Sequence, residues 1–267
     1  MNRVWLSHQV VARRSAPIIH SSFVSMDNPA MSPSTPARDN DSDSGTGSEE
    51  GSAPVADMYN SVEDLLATER RNVVIENRVE GRSRIAVLAP HAGAIEPLTG
   101  EIARAIAGKI HRFYGFHGKA AVNNFRLHVA STRFDEPLLQ SVLRGARTAI
   151  AIHGAAGDED AVTLIGGVNR RLVETVRACL EQAGFAVMDA PVHLAAVDPR
   201  NIVNRVPEGG VQLELTRRLR EDLRCGWRKN ARFESYVQAI RSALAQAEAM
   251  PGPQWDDVRI QSASAAV

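Results

Sequence analysis

The stretch RIAVLAPHAGAIEP, residues 84–97, decides the fold. Its first seven residues form an apolar run of strand length, and this run ends at His91. An apolar run of this length, broken by Pro and Gly, is typical of a β-strand. A helix-length amphipathic segment, PLTGEIARAIAGKI, follows at residues 97–110. A strand that leads directly into a helix is the repeating unit of an α/β domain.

The same alternation continues on both sides of this stretch. Strands are predicted at 73–79, 84–90, near 113, 125–131, 148–154, 161–167 and 211–216. Helices are predicted at 61–69, 97–110, 136–146, 169–184 and 233–249, with Ser61 and Asn169 as N-caps. Strands and helices interleaved in this way predict a three-layer α/β/α domain with a mixed sheet.

Composition narrows the classes of function. The 267 residues carry 31 basic and 31 acidic side chains, so the formal charge is zero and no whole-chain field favours nucleic acid as a partner. The two cysteines, Cys179 and Cys225, lie far apart without a CxxC spacing, which excludes a disulfide scaffold and a cysteine-based zinc site. A metal would therefore need His, Asp and Glu ligands. No window approaches 18 uninterrupted apolar residues, so no transmembrane helix and no membrane partner are predicted.

The two ends of the chain differ from its middle. Residues 27–57 are rich in Ser, Pro, Gly and Asp, and they carry seven acids against Arg38 alone. This composition predicts a disordered tail over 1–57, a folded domain over 58–250 and a flexible tail over 251–267. The apolar runs within residues 1–25 are too short for a secretory signal, which predicts a cytoplasmic protein or one released from the cell. A translation start at Met26, Met31 or Met58 is an alternative to Met1.

Two of the predicted strands end in histidine. RIAVLAP leads into His91 and TAIAI leads into His153, so both imidazoles share one rim if these strands are parallel and adjacent. Glu96 follows His91 by five residues, across a turn of small residues. Two nitrogens, one carboxylate and a water form the ligand set of a hydrolytic zinc site. The residues alone leave a second interpretation open, in which each histidine is a hydrogen-bonded structural residue.

A zinc hydrolase also needs a base and a group that stabilises the oxyanion. Glu214 stands inside the apolar strand VQLEL, where a buried charge is costly unless it is paired or functional, so it is the candidate base. A carboxylate that faces solvent from an edge strand is the alternative. Arg205, just upstream, is the candidate cation. His128 is a candidate pocket residue or a core histidine of a strand.

Several windows carry a family resemblance in their order and spacing. They are LAPHAGAIEP, LHVASTRFDEP, AIAIHGAAG, IGG and NIVNRVPEGGVQLELTRRLR. Together they resemble the poly-gamma-glutamate hydrolase family first known from bacteriophages, which is similar to zinc carboxypeptidases in fold and metal site. The resemblance covers about residues 58–250. It implies zinc ligands at His91, Glu96 and His153, a general base at Glu214, and substrate contacts from Arg205, Asn204, Ser131 and Thr132.

The resemblance implies a zinc-dependent amidohydrolase that cleaves the gamma-glutamyl amide bonds of poly-gamma-glutamate. The expected mechanism uses a metal-activated water whose proton passes to Glu214, while Arg205 holds the oxyanion. The turn after His91 departs from the family, because Ala92, Ala94 and Leu98 stand where glycine is frequent. Alternatives are an amidase of the same fold for small N-acyl amino acids or peptidoglycan-type linkages, and a non-catalytic module that binds polyanions. The sequence indicates no oligomeric state.

Overall fold

A seven-stranded mixed sheet forms the centre of the computed structural model, which describes residues 57–80 and 83–249. The strands are β1 (Val73–Arg78), β2 (Ile85–Gly93), β3 (Arg112–Gly118), β4 (Thr148–Gly154), β5 (Val162–Gly167), β6 (Ala186–Asp189) and β7 (Gly210–Leu215). Their spatial order is β1-β3-β2-β4-β7-β5-β6. Strands β3, β2, β4 and β7 are mutually parallel, whereas β1 and β5 run antiparallel to their neighbours β3 and β7. The predicted mixed sheet is confirmed.

Helices cover both faces of this sheet. They are α1 (Val62–Glu69), α2 (Thr99–Ala107), α3 (Pro137–Leu143), α4 (Arg170–Gln182), α5 (Arg217–Asp222) and α6 (Ala231–Ala249). Successive β2 residues alternate between two cores: Ile85 and Val87 pack with α2, α4 and α6, while Ala86 and Leu88 pack with α1 and α3. A sheet buried on both faces needs apolar residues on both, which explains the unbroken apolar run of β2. The three layers are those predicted.

The predicted strand at 125–131 is wrong. Residues Asn124–Leu127 form a 3-10 helix, and a second one follows at Ser131–Arg133. The Asn124 amide accepts from the Ala120 nitrogen at 2.8 Å and donates to the Ala120 carbonyl at 2.7 Å, so a side chain closes this turn where a strand would need ladder partners. Strand β6, helix α5 and a short hairpin of β8 (Arg224–Cys225) and β9 (Arg228–Lys229) were not predicted.

Helix N-caps follow the prediction. The Ser61 hydroxyl accepts from the Asp64 nitrogen at 3.0 Å, and the Asn169 amide accepts from the Leu172 nitrogen at 3.1 Å. Of the predicted tails over 1–57 and 251–267, residues 1–56 and 251–267 lie outside the described residues. Asp57, the last residue of the predicted N-terminal tail, is described, and its carboxylate accepts from the Ala130 nitrogen at 2.8 Å. Within the described residues, no helix is both long and apolar enough to cross a membrane.

Candidate active site

Three adjacent parallel strands end at one rim of the sheet, and each carries a polar residue there. His91 stands near the end of β2, His153 near the end of β4 and Glu214 near the end of β7. The strands pair in the order β2-β4-β7, with His153 directly opposite Glu214. The three residues are 2, 3 and 5% exposed, so their polar atoms depend on partners within the protein or on groups that enter the rim.

Strand β2 is irregular where His91 stands. Its pairing with β3 shifts register between Ala89 and Ala92, around Pro90, which has no N–H for a ladder bond. Gly93 then has a φ of +71°, and a Cβ there would lie 2.4 Å from the Gly118 carbonyl oxygen. Only glycine permits this close approach of two backbones. The chain turns back, so that the Glu96 nitrogen donates to the His91 carbonyl at 2.9 Å.

The side chains of His91, Glu96 and His153 converge on one point. Nδ1 of His91 lies 2.9 Å from Oε1 of Glu96 and 3.1 Å from Nδ1 of His153. Nδ1 of His153 lies 3.7 Å from Oε2 of Glu96. A tetrahedral zinc ion with bonds of about 2.0–2.2 Å holds its ligands roughly 3.3–3.6 Å apart. The observed spacings bracket this range, and the donor set of two imidazoles and one carboxylate fits zinc.

Neighbouring backbone groups orient these donors. Nε2 of His91 lies 2.9 Å from the Val129 carbonyl, which accepts its proton and leaves the Nδ1 lone pair directed at the cluster. Oε2 of Glu96 accepts from the Gly154 nitrogen at 2.8 Å. Such outer partners fix the tautomer and the direction of metal ligands. The cluster is therefore preorganised by the loop that carries Val129 and by the end of β4.

Burial and nearby charges shift the pKa values of Glu96 and Glu214 in opposite directions. Burial alone raises the pKa of Glu96, but the electrostatic influence of the nearby His91 ring and a hydrogen bond from His153 outweigh it and hold this pKa well below its ordinary value. Burial also raises the pKa of Glu214, and the charge of His153 offsets this only in part. Two acids with opposite shifts in one site are suited to different tasks. Glu96 stays ionised as a ligand does, while Glu214 accepts a proton readily.

A chain of buried amides holds Glu214. Its Oε1 accepts from the Gln212 side chain at 2.9 Å, and Gln212 in turn accepts from the Asn201 side chain at 3.0 Å. Gln212 and Glu214 are two residues apart on β7, so their side chains lie on the same face of the sheet. The carboxylate predicted to be the base is thus buried and directed, and the alternative of a solvent-facing edge residue is wrong.

His128 lies beside the cluster and offers a second set of donors. Ligand atoms of His91, Glu96 and His128 lie within 4.8 Å of one another. However, Nδ1 of His128 is 2.6 Å from Oδ1 of Asp57, and its ring is tilted by 33° to that of His91, with centroids 3.9 Å apart. Asp57 thus occupies Nδ1 of His128, whereas Nδ1 of His153 faces both His91 and Glu96. His153 is therefore the better third ligand, and His128 supports the ring of His91.

Arg205 contacts the loop beside the cluster through backbone carbonyls. Its guanidinium donates to the carbonyls of Phe134 at 2.6 Å, Thr132 at 3.3 Å and Arg200 at 2.8 Å. These bonds hold the loop that carries Ser131, whose hydroxyl lies 3.5 Å from Nε2 of His153. The predicted roles of Arg205 and Thr132 towards substrate stay predictions.

Asn204, the fourth residue predicted to contact substrate, is held by backbone groups. Its side-chain nitrogen donates to the carbonyls of Ala196 at 2.8 Å and Asp198 at 2.9 Å. Its oxygen accepts from the Gly210 nitrogen at 3.4 Å. These bonds fix the turn that leads into β7, and the predicted substrate contact of Asn204 stays a prediction.

Sequence reasoning missed Arg220, which ties the rim together. From α5 its guanidinium donates to the carbonyls of Pro97 at 3.1 Å, Ala155 at 3.1 Å and Leu215 at 3.2 Å. These carbonyls follow Glu96, His153 and Glu214 by one or two residues, so one side chain joins the ends of β4 and β7 to the turn that follows β2. A Cβ on Gly154 would lie 2.8 Å from its Cζ, which explains the glycine there. No local pattern distinguishes this arginine from the other arginines of the chain.

Of the three residues that depart from the family pattern in the turn after His91, only one has a backbone conformation that favours glycine. Leu98 has a φ of +79°, in the left-handed region that favours glycine, whereas Ala92 and Ala94 avoid positive φ. Leu98 precedes α2 and packs against the core next to it. Leu98 therefore packs against the core although its backbone is strained. Glu96, two residues earlier, still lies in the cluster with His91.

Comparison with known proteins shows that the chain is a hydrolase. Residues 59–239 match the family model of poly-gamma-glutamate hydrolase, and the chain belongs to this family. Its fold resembles the structure of a bacteriophage poly-gamma-glutamate hydrolase, with a TM-score of 0.67 and 32% identity over 72% of this chain and 98% of that one. It also resembles a zinc-free structure of YndL, with a TM-score of 0.68 and 28% identity over 72% of this chain and 99% of that one.

Two proteins of Bacillus subtilis (strain 168) are also similar to this chain in sequence. The chain is 32% identical to the UPF0714 protein YmaC over 172 residues, which are 61% of this chain and 72% of that protein. It is 32% identical to the SPbeta prophage-derived UPF0714 protein YoqZ over 171 residues, which are 63% of this chain and 62% of that protein. The family resemblance seen in the sequence is confirmed. The further likeness to zinc carboxypeptidases stays a prediction.

Proposed function

We propose that the protein is a zinc-dependent hydrolase that cleaves the gamma-glutamyl amide bonds of poly-gamma-glutamate. The observation that carries the proposal is the convergence of the His91, Glu96 and His153 donor atoms within 2.9–3.7 Å, beside a buried carboxyl on the next strand. The family of the chain supports the polymer as substrate. A related structure is named as the zinc-free form of YndL, which supports zinc as the metal.

Each residue of the rim has one task in the proposed reaction. His91, Glu96 and His153 hold the metal. When bound, zinc polarises the scissile carbonyl and activates the water that attacks it. Glu214 accepts one proton from that water and returns it to the nitrogen of the leaving amine, so the products are a carboxylate and a free amine. Its raised pKa suits this exchange, because a base near the working pH both takes and gives a proton.

The loop that carries Ser131, which Arg205 holds beside the cluster, is suited to contact an anionic substrate. Every unit of poly-gamma-glutamate has a free alpha-carboxylate, so the polymer is a polyanion that hydroxyls and arginines can bind. Ser131 presents its hydroxyl next to His153, and the bonds of Arg205 keep this loop against the rim. We assign substrate contact to Ser131. Arg205 holds the geometry of this loop, and its predicted contact with the oxyanion and the substrate stays a prediction.

The test is hydrolysis of poly-gamma-glutamate by the purified full-length protein, with products sized by chromatography. Poly-alpha-glutamate is the matched control, because it has the same charge with a different amide linkage. The expected result is shortening of the gamma-linked polymer alone, its loss after metal chelation, and recovery when zinc is added back. The His91→Ala variant should not recover, since its ligand set is incomplete.

Three outcomes would contradict the proposal. Equal cleavage of both polymers would mean that the linkage is not recognised. Cleavage of N-acyl glutamate or of a gamma-linked peptidoglycan peptide, without cleavage of the polymer, would assign the enzyme to small amides. Binding of the polymer without any turnover in the presence of zinc would leave a non-catalytic module.

A further inference from the structure

The short hairpin of β8 and β9 is an exposed structure with an unusual sequence, RCGWRK, residues 224–229. All four strand residues are exposed, and the Trp227 side chain at the turn is 84% exposed. Gly226 allows the turn with a φ of +58°. An indole this exposed contributes no core packing, so the fold alone gives no reason for it.

The positive charges within this hairpin lower its stability. Arg224 lies directly opposite Lys229, and like charges that face each other across two strands are destabilising. Among the described residues, no carboxylate forms a salt bridge with Arg224, Arg228, Lys229 or the nearby Arg232. The neighbouring helix differs, because its Arg217 and Arg218 pair with Glu221 and Asp222, four residues on.

Aromatic rings hold three of these cations in place. Arg228 lies 4.8 Å from the ring of Trp227, Lys229 lies 4.7 Å from that of Phe233, and Arg232 lies 4.9 Å from that of Phe185. A cation over an aromatic face is positioned but keeps its hydrogen-bond donors for another partner. The result is a fixed group of positive charges that face solvent in a chain whose formal net charge is zero.

The hairpin adjoins the catalytic rim. It follows α5, and it is closed onto the end of that helix by bonds from Asn230 to the carbonyls of Leu223 at 3.3 Å and Asp222 at 2.8 Å. Arg220, one helical turn before the hairpin, binds the Pro97 carbonyl next to Glu96. The helix that carries Arg220 therefore connects the hairpin to the rim that carries the cluster.

We propose that Arg224, Trp227, Arg228, Lys229 and Arg232 form a second binding surface for poly-gamma-glutamate, beside the catalytic rim. This inference rests on the proposed function. Guanidinium groups bind carboxylates through two parallel hydrogen bonds, and the polymer presents one carboxylate per unit. The gamma linkage also places two methylene groups of each unit in the main chain, which suit the face of the Trp227 indole. The surface holds a long chain while the rim cleaves it.

The test measures binding of fluorescently labelled poly-gamma-glutamate to the full-length protein in the presence of a chelator, which prevents turnover. The variant is Arg224→Ser, Arg228→Ser and Lys229→Ser combined. Its matched control is Arg144→Ser, Arg170→Ser and Arg171→Ser combined, three exposed arginines at the opposite rim of the sheet. We expect about tenfold weaker binding for the hairpin variant and less than about twofold for the control. The difference should shrink between about 50 and 300 mM salt.

A second measurement separates this surface from catalysis. With zinc, the hairpin variant should cleave a short gamma-glutamyl oligomer at the wild-type rate, but its KM for the long polymer should rise about tenfold. Equal polymer affinities of the wild type and the hairpin variant would overturn the inference, whether or not the protein is an active hydrolase. Displacement of the label by single-stranded DNA at a lower concentration than by unlabelled polymer would overturn it in favour of a nucleic-acid surface.

If the wild type binds the polymer through the hairpin but cleaves no gamma-linked substrate with zinc, the proposed function fails and the binding surface stands. The two proposals can therefore fail separately. Trp227→Ala adds a test of the indole, because it removes ring contact without a change of charge; we expect weaker binding with an unaltered salt dependence. An unchanged affinity in Trp227→Ala would exclude the indole from the surface.

Discussion

The Nδ1 atoms of His91 and His153 lie 3.1 Å apart at the ends of two adjacent strands. Two imidazole nitrogens at this distance must share a proton or bind one cation, because two facing lone pairs repel each other. His91 has its other nitrogen at the Val129 carbonyl, so its Nδ1 offers a lone pair. Burial lowers the pKa of His153, but the charges of Glu214 and Glu96 outweigh this and raise it. A divalent cation held by both nitrogens and by Glu96 would remove this repulsion.

The first prediction concerns the ligand set. His91→Ala and His153→Ala should each lose stoichiometric zinc, because removal of one of three protein ligands leaves too few bonds to the metal. His128→Ala should keep one zinc per chain, with an affinity reduced about tenfold at most, since the His128 ring only packs against that of the proposed ligand His91. Zinc content of the purified variants is the measurement. If His153→Ala kept its zinc and His128→Ala lost it, His128 would be the third ligand and His153 would not be a ligand.

The second prediction concerns Arg220, which binds three backbone carbonyls at the rim. Arg220→Lys and Arg220→Met should both weaken zinc binding by about tenfold, because neither side chain reaches three acceptors with a planar fork. The control is Arg217→Met, three residues earlier on the same helix and exposed, which should leave zinc affinity unchanged. Titration with a competing chelator measures these affinities. Full zinc affinity in Arg220→Lys would show that charge alone suffices there.

The third prediction uses pH. Burial raises the pKa of Asp57, but hydrogen bonds from His128 and the Ala130 nitrogen outweigh it and hold this pKa below the ordinary value of 3.8. The stabilisation is therefore complete above that ordinary value and is lost as pH falls through the lowered one. Asp57→Asn should lose roughly 1–3 kcal/mol in the free energy of unfolding near neutral pH, and progressively less below about pH 4. Urea unfolding at several pH values measures this.

The control for this pH dependence is Asp158→Asn, an exposed carboxylate 3.6 Å from Arg217. It should change the free energy of unfolding by less than about 0.5 kcal/mol at every pH. A constant deficit of Asp57→Asn down to about pH 2 would contradict the ionic origin of the effect.

The fourth prediction concerns the N-terminal segment. Deletion of residues 1–56 should leave the melting temperature and the specific activity unchanged, because the composition of residues 27–56 predicts no packed core. Deletion of residues 1–57 should lower the melting temperature, since it also removes the Asp57 carboxylate that holds Ala130. Calorimetry and activity of the two deletions give the answer. A large loss on deletion of 1–56 would assign a structural role to the segment.

Local sequence patterns were enough to predict those residues of the candidate site that lie on strands. His91, His153 and Glu214 each interrupt an apolar run at a strand end, and a polar residue there is visible without knowledge of the fold. Their proximity follows from parallel pairing of adjacent strands, which alternating strands and helices predict.

The supporting residues could not be predicted, because their roles depend on contacts across long stretches of chain. Asp57 contacts His128, 71 residues away, and Arg220 contacts Pro97, 123 residues away. The segment 125–131 has the apolar alternation of a strand, yet the Asn124 side chain closes a turn that no periodicity reveals. Tertiary context overrides local preference at such positions.

The last prediction separates the tasks of the two carboxyl groups. Glu214→Gln keeps the size of the side chain and a partner for Gln212, but it removes the base, so zinc should stay bound while turnover of poly-gamma-glutamate falls about 100- to 10,000-fold. Glu96→Gln should lose zinc, because a neutral amide is a poorer ligand for a divalent cation than the carboxylate that faces both imidazoles. Zinc content and hydrolysis rate are measured side by side for both variants, with Glu208→Gln as a control at the opposite, amino end of β7. Wild-type turnover by Glu214→Gln would remove the proposed base, and loss of zinc from that variant would mean that Glu214 is itself a ligand.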